Sequence, residues 1–178
     1  MQNQQPNYDP SIFNQSEVEM ARQVVLTPEN GIPTQVRWES ETPWLLNLIA
    51  KHIKPTGLVV DYGCGVGRIA AHLVEMNYPV IGVDTSASMR QHATSLIANE
   101  RFVAMTPVML DQLVGIGVKA DCVLAIWMLQ HCFDLEAEIE RMPARKKEAL
   151  VNELAGGAEA VPERGTVPIK TVKALKGR

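Results

Sequence analysis

Aromatic side chains are scarce, with three each of Phe, Trp and Tyr among 178 residues. A core in this chain must therefore be built from Leu, Ile, Val, Ala and Met. Long apolar runs are lacking too. The longest, Cys122–Leu129, has the length of a core strand and falls far short of the roughly 18 to 20 residues of a membrane helix. The opening stretch MQNQQPNYDPSIFNQ has neither the basic start nor the apolar middle of a secretory leader. Cysteine is limited to Cys64, Cys122 and Cys132, an odd number without zinc-ligand spacing, which excludes a disulfide framework and fits a reducing compartment. These absences predict a cytoplasmic protein rather than a secreted or membrane-spanning one. Composition predicts a folded chain, because 46% of residues are apolar and 21% charged, ordinary values for a globular domain.

The net charge of −3 is unevenly spread. Residues 1–140 carry a net −8 and residues 141–178 a net +5, and no acid occurs from Arg164 to Arg178. An acidic body matches nucleic acid poorly, since that affinity rests on neutralising phosphates. The basic end reads as a solvated tail in preference to an RNA-binding arm. A small-molecule partner is expected, with no membrane and no nucleic acid.

Three regions are expected. Residues 1–40, rich in Gln, Asn and Pro, form an arm with a short helix near Glu17–Val25. Residues 41–135 form the core, and residues 136–178 supply a helix, a candidate fifth strand and the basic tail. Thr42-Pro43 predicts a helix start, with an N-cap hydroxyl and a proline at the first helical position. Leu45, Leu48, Ile49, His52 and Ile53 follow as one apolar stripe. Leu58–Asp61, Val80–Asp84, Phe102–Met105 and Cys122–Met128 read as buried strands. Between them, Ile69–Val74, a helix capped by Ser86, and Met109–Val114 read as helices. The alternation predicts a Rossmann-like open α/β fold, a parallel sheet with helices on both faces.

The first strand empties into Gly63-Cys64-Gly65-Val66-Gly67 before a helix. A glycine turn there lets backbone approach a ligand, beside the unpaired N–H groups of the helix start. Dinucleotide sites use G-x-G-x-x-G, whose third glycine would fall on Arg68. Asp61, two residues before the first glycine, would repel a diphosphate and suits a cationic ligand group. Asp84 ends the second strand 21 residues after Gly63, where a carboxylate reaches ribose hydroxyls in open α/β sheets. Read separately, Asp61 could be a turn residue and Asp84 a helix cap. Together they describe a ligand with ribose and ammonium but no diphosphate, which S-adenosyl-L-methionine satisfies.

At these residues the chain resembles the class I S-adenosylmethionine-dependent methyltransferases. Val59-Val60-Asp61-Tyr62-Gly63-Cys64-Gly65-Val66-Gly67 is similar to their first motif. Val80-Ile81-Gly82-Val83-Asp84-Thr85-Ser86-Ala87-Ser88-Met89 is similar to their second, and Asp121–His131 to their fourth. The resemblance covers about residues 40–135. It implies that Asp61, Tyr62, Gly63, Cys64 and Gly65 hold the methionine part of the cofactor. It further implies that Asp84 takes the ribose, and that Thr85, Met89, Thr106 and Ala125 line the rest of the pocket. Thr106 stands where the family usually has an acid, and the sequence beyond Leu135 leaves no room for the last antiparallel strands. The expected activity is methyl transfer to a small-molecule acceptor. The rivals are a non-catalytic cofactor binder, favoured by the short end, and a nicotinamide-dependent oxidoreductase, disfavoured by Asp61 and Arg68.

His131, just past the fourth strand, is the candidate general base, with a turn or cap role as the alternative. Cys64 has no base beside it and His52, His72 and His92 lie on separate helices, so neither a thiol nucleophile nor a metal is expected. Arg37-Trp38-Glu39 is a candidate lid, with simple packing equally compatible. The fourth strand, apolar throughout, needs a partner on each side. The expected partner is a fifth strand within residues 158–172, covered by a helix over Pro143–Leu154, or else a second copy of the chain.

Overall fold

The computed structural model describes residues 10–52, 56–132, 137–138, 142 and 149–152. A 3-10 turn at Pro10–Phe13 leads into α1 (Val18–Val25) and α2 (Thr34–His52). Then come β1 (Val59–Tyr62), α3 (Arg68–Glu75), β2 (Val80–Val83), α4 (Ala87–Ile97) and β3 (Phe102–Met105). The chain continues through α5 (Pro107–Gly115), β4 (Cys122–Ile126), a 3-10 turn at Leu129–His131 and β5 (Ala149–Asn152). All neighbouring strands are parallel, in the order β3-β2-β1-β4-β5. Among the described residues no antiparallel strand joins this sheet. The open α/β fold read from the strand–helix alternation is the fold observed.

Each strand is only four or five residues long, so nearly every side chain in the middle of the sheet faces a helix layer. Val59, Val80, Cys122 and Leu124 pack with Leu45 and Ile49 of α2 and with Ile69, Leu73 and Val74 of α3. On the opposite face Val60, Tyr62, Ile81, Val83 and Val123 pack with Met105, Leu110 and Ala120. Burial on both sides is what selects Val, Ile and Leu without alternation.

Two helices are capped by hydroxyls, Ser86 as expected and Thr106 as the cap of a helix that starts two residues before the expected Met109. Ser86 accepts from the Met89 N–H at the start of α4, and Thr106 accepts from the Met109 N–H at the start of α5. The expected start at Thr42-Pro43 is corrected, because α2 begins at Thr34 and runs through Pro43. Thr34 is tied back by its hydroxyl, which donates to the Leu26 carbonyl at 2.7 Å, and Arg37 and Glu41 pair one turn apart at 2.6 Å. Those interactions extend the helix on its N-terminal side, while Pro43 sits on the exposed face. The arm and the core are thus joined by one continuous helix across residue 40.

The carboxyl-terminal expectation is corrected as well. β4 does lie inside the sheet, flanked by β1 and β5, but the flanking strand is Ala149–Asn152, within the span expected to be helical. The register pairs Val123 with Ala149 and Ile126 with Asn152. The open ladder groups of β4 outweigh the helix-forming composition around this Ala-Leu-Val run. The candidate strand at 158–172, residues 143–148 and the basic tail lie outside the described residues. β4 stops at Ile126 because Trp127 adopts φ +59, which turns the chain out of the strand.

Candidate functional site

At the carboxyl edge of β1 the backbone turns back on itself. The Gly63 and Cys64 N–H groups both donate to the Val83 carbonyl, at 2.7 and 3.0 Å, and the Gly67 N–H donates to the Cys64 carbonyl at 2.9 Å. Gly63 and Gly67 hold φ +80 and +83, a region that disfavours any side chain. The turn is packed from above: a Cβ on Gly65 would sit 2.7 Å from a Val25 methyl of α1, and one on Gly63 would collide with Met128.

Two carboxylates flank this turn. Asp84 accepts from the Gly65 N–H at 2.9 Å and from the Ser86 N–H at 2.8 Å, so it stitches the end of β2 to the glycine turn. Burial raises its pKa, and the N–H groups of Ser86 and Gly65 and the Arg90 guanidinium partly offset that rise. Asp61 is only 4% exposed. Burial is the main cause that pushes its pKa up to about 7; the charge of Asp84 adds to the rise, while the Ala70 N–H and Arg68 oppose it. A buried acid of this kind is primed for a cation that would hold it ionised.

The remaining residues expected at the site are placed as follows. Cys64 is buried, and burial followed by the charges of Asp61 and Asp84 pushes its pKa upward, so it remains a thiol and offers its backbone. Tyr62 projects to the opposite face, where its hydroxyl donates to Glu138. Ala125 packs on that same face, with Leu129, Met128 and Met142. Thr85 is exposed, and the Thr106 hydroxyl is engaged as the cap of α5. Met89 is fully buried beneath the arm with Ala21 and Val66. Asp61, the glycine turn and Asp84 therefore form one cluster, with Thr85, Met89 and Thr106 around its β2–β3 side.

The arm crosses this edge. Phe13 presents its carbonyl to the Ser86 and Ser88 hydroxyls, at 2.9 and 3.2 Å, and its ring stands edge-on to His131 at 5.4 Å. Burial lowers the pKa of His131, and a hydrogen bond with the Trp127 backbone partly offsets that fall. Trp38, in the segment expected as a lid or as simple packing, packs against the cluster of Ala21, Val66 and Met89. A separate groove of about 640 Å³ lies between Asn14–Val18 and the outer side of α4 and does not include Asp61 or the glycines.

A cluster that the spacing of residues did not reveal sits between β1, β4 and α2. Arg37 and Arg68 are each 6% exposed. Arg37 donates to the Glu41 carboxylate at 2.6 Å and to the Thr27 carbonyl at 2.7 Å, pairs with Glu29 at 3.0 Å, and lies 5.6 Å from the Trp127 ring. Arg68 lies 5.5 Å from the Trp38 ring, and its Nε donates to the Thr42 hydroxyl at 3.0 Å. The burial of Arg37 with Arg68 comes from the crossing of α2 over α3, which no local pattern encodes. Among the described residues no group of three metal-ligating side chains occurs, and no helix is long and apolar enough to cross a membrane.

Comparison with protein families matches residues 59–148 to a methyltransferase domain. Among solved structures, magnesium protoporphyrin IX methyltransferase of Synechocystis PCC 6803 with bound S-adenosylhomocysteine is similar at 28% identity and a TM-score of 0.51. That match covers 66% of this chain and 54% of the other, so the chain spans about half the length of that neighbour. The same enzyme with bound S-adenosylmethionine aligns over 79% of this chain and 72% of the other, at 23% identity and a TM-score of 0.55. A TehB-like S-adenosylmethionine-dependent methyltransferase from Corynebacterium glutamicum shares the fold, at 18% identity, a TM-score of 0.51 and 62% coverage of each chain. No curated protein matches in sequence.

Proposed function

The chain belongs to the methyltransferase-domain family, and from that premise we propose that it binds S-adenosyl-L-methionine at the carboxyl edge of β1 and β2 and transfers its methyl group to a small-molecule acceptor. The observation that carries this reading is the buried Asp61 and half-buried Asp84 on either side of the glycine turn, with Asp84 bonded directly to the Gly65 N–H. These residues fit the cofactor by their chemistry. Asp61, protonated up to about pH 7 when alone, gains a counter-charge from the cofactor's ammonium group. Each oxygen of Asp84 accepts one backbone N–H and keeps a lone pair for a ribose hydroxyl. The N–H and C=O groups of the Gly63–Gly65 turn let backbone lie close against the methionine chain.

When bound, the cofactor supplies an electrophilic sulfonium methyl group. Asp61, Asp84 and the Gly63–Gly65 backbone would hold it, and it would yield its methyl group to a lone pair of the acceptor and leave as S-adenosylhomocysteine. Holding acceptor and methyl in line supplies most of the acceleration, so the chain needs no triad or metal. His131, in the turn after β4 at the same edge, is the side chain placed to take the proton that a hydroxyl or amine acceptor loses. The acidic body favours a small molecule over nucleic acid, and the similar Synechocystis enzyme is a methyltransferase of magnesium protoporphyrin IX, a small molecule.

The Asp84→Ala variant tests the reading by calorimetry with S-adenosylhomocysteine. Loss of a charged acceptor of two hydroxyls is expected to cost about 1.5 to 3 kcal/mol, or roughly ten- to a hundredfold in affinity. Unchanged affinity in a folded variant would place the ribose elsewhere.

A further inference from the structure

The contacts at the carboxyl edge of the sheet close into a ring. Asp84 accepts from the Gly65 and Ser86 N–H groups, and the Ser86 hydroxyl donates to the Phe13 carbonyl at 2.9 Å. The Phe13 ring meets the His131 ring with centroids 5.4 Å apart and planes 70° to each other. His131 is hydrogen-bonded in turn to the Trp127 backbone. Met128, next in the chain, returns to the glycine turn, since a Cβ on Gly63 would come within 2.4 Å of the Met128 Cβ. The left-handed backbone of Trp127, costly for a residue with a side chain, is what bends the chain back onto the turn and the arm. Aromatic side chains are scarce in this sequence, yet Phe13, Trp127 and the His131 imidazole gather at this one place. Phe13 and His131 are only half-buried, so each ring keeps part of its surface open.

We propose that Phe13 and His131 bind the methyl acceptor, and that the acceptor is a planar, uncharged aromatic molecule. The inference rests on the reading that the chain binds S-adenosylmethionine at Asp61 and Asp84, and it names the acceptor class that reading leaves open. Two rings set 70° apart form a corner. A flat ring laid into it stacks on one and meets the other edge-on, the two arrangements that aromatic pairs favour. Met128 adds a thioether, which packs well against an aromatic edge. Charge argues for a neutral acceptor. An anion is repelled by Asp61 and Asp84, and Arg37, which lies beside the Trp127 ring, is already paired with Glu41 and Glu29. A cation would face the sulfonium charge of the bound cofactor. The arm at Phe13 is held through its backbone carbonyl by Ser86 and Ser88, so the side chain can be exchanged with those bonds in place.

The test compares three probes of one skeleton by calorimetry on the full chain saturated with S-adenosylhomocysteine at neutral pH. Naphthol is planar and uncharged, decahydronaphthol is uncharged but not planar, and naphthoate is planar but anionic. The wild type is expected to bind naphthol about five- to tenfold more tightly than decahydronaphthol, the worth of a favourable aromatic pair. Naphthoate should bind more than about tenfold more weakly than naphthol, for want of a counter-charge. In Phe13→Leu, apolar but without a ring face, the preference over decahydronaphthol should fall to about twofold or less, and Phe13→Tyr should keep it. The naphthoate ratio and the affinity for S-adenosylhomocysteine should stay within about threefold in both variants, which general damage to the edge would not allow. Should Phe13→Leu fail to fold, the wild-type ratios decide the matter. Equal wild-type binding of naphthol and either companion, no saturable naphthol binding, or a full preference kept in Phe13→Leu overturns this role while leaving the cofactor reading intact. A wild-type chain that does not bind S-adenosylhomocysteine overturns both.

Discussion

Asp61 is the residue at which stability and ligand binding pull against each other. Its carboxyl holds a proton up to about pH 7, whereas the unfolded chain releases it near 3.8. Between those values the folded chain binds the extra proton. This group therefore stabilises the fold at low pH, and the contribution is lost as pH rises through about 7. Asp61→Asn keeps an acceptor for the Ala70 N–H without the buried charge. It is expected to be more stable than the ligand-free wild type at pH 8, on the order of 2 kcal/mol by denaturant titration, with the difference shrinking towards pH 5. The same substitution should abolish cofactor binding, and wild-type affinity for S-adenosylhomocysteine should fall about tenfold per pH unit below 7, since the carboxylate must ionise to meet the ammonium. A variant less stable than wild type at every pH would show that the carboxyl is structural. The two acids were legible because their positions relative to the glycines are set by one strand and one turn. Arg37 and Arg68 were not, because 30 intervening positions and a helix crossing decide that they meet.

The elements most informative about the site are α1 and the glycine turn, which touch through Val25 and Gly65. Gly65 at φ +52 carries both conformational strain for any side chain and a steric block from the valine. Gly65→Ala is expected to destabilise the chain by about 2 to 3 kcal/mol, combining about 1 to 2 kcal/mol for a left-handed residue with the overlap. Adding Val25→Ala should remove the overlap, leaving a double variant less destabilised than the sum of the singles by about 1 kcal/mol in a double-mutant cycle. Additive effects would mean that α1 does not rest on the turn in solution. The boundaries that sequence patterning misplaced have the same origin. Thr42-Pro43 carries a local start signal, overridden by the Thr34–Leu26 and Arg37–Glu41 contacts upstream. Ala149–Asn152 sits in helix-forming composition, overridden by the open edge of β4. In contrast, β1, β2, β3 and the caps at Ser86 and Thr106 follow from residues within one turn or one strand of each other. Local physics is what a sequence displays directly.

At the scale of the whole molecule, the order β3-β2-β1-β4-β5 brings the carboxyl ends of β1, β2 and β4 side by side, with the reversal of strand order between β1 and β4. Ligands of open α/β sheets bind at such a point. The glycine turn and the two carboxylates lie there. The claim on which the account stands is that this edge selects an adenosyl amino acid over a dinucleotide. Isothermal titration of the unmodified chain at pH 7.5 or so, above the proton release of Asp61, with S-adenosylhomocysteine and with NAD tests it most directly. The expected result is saturable binding of S-adenosylhomocysteine at about micromolar dissociation constant or tighter, near −8 kcal/mol, with no heat from NAD. Binding of NAD without S-adenosylhomocysteine would contradict it.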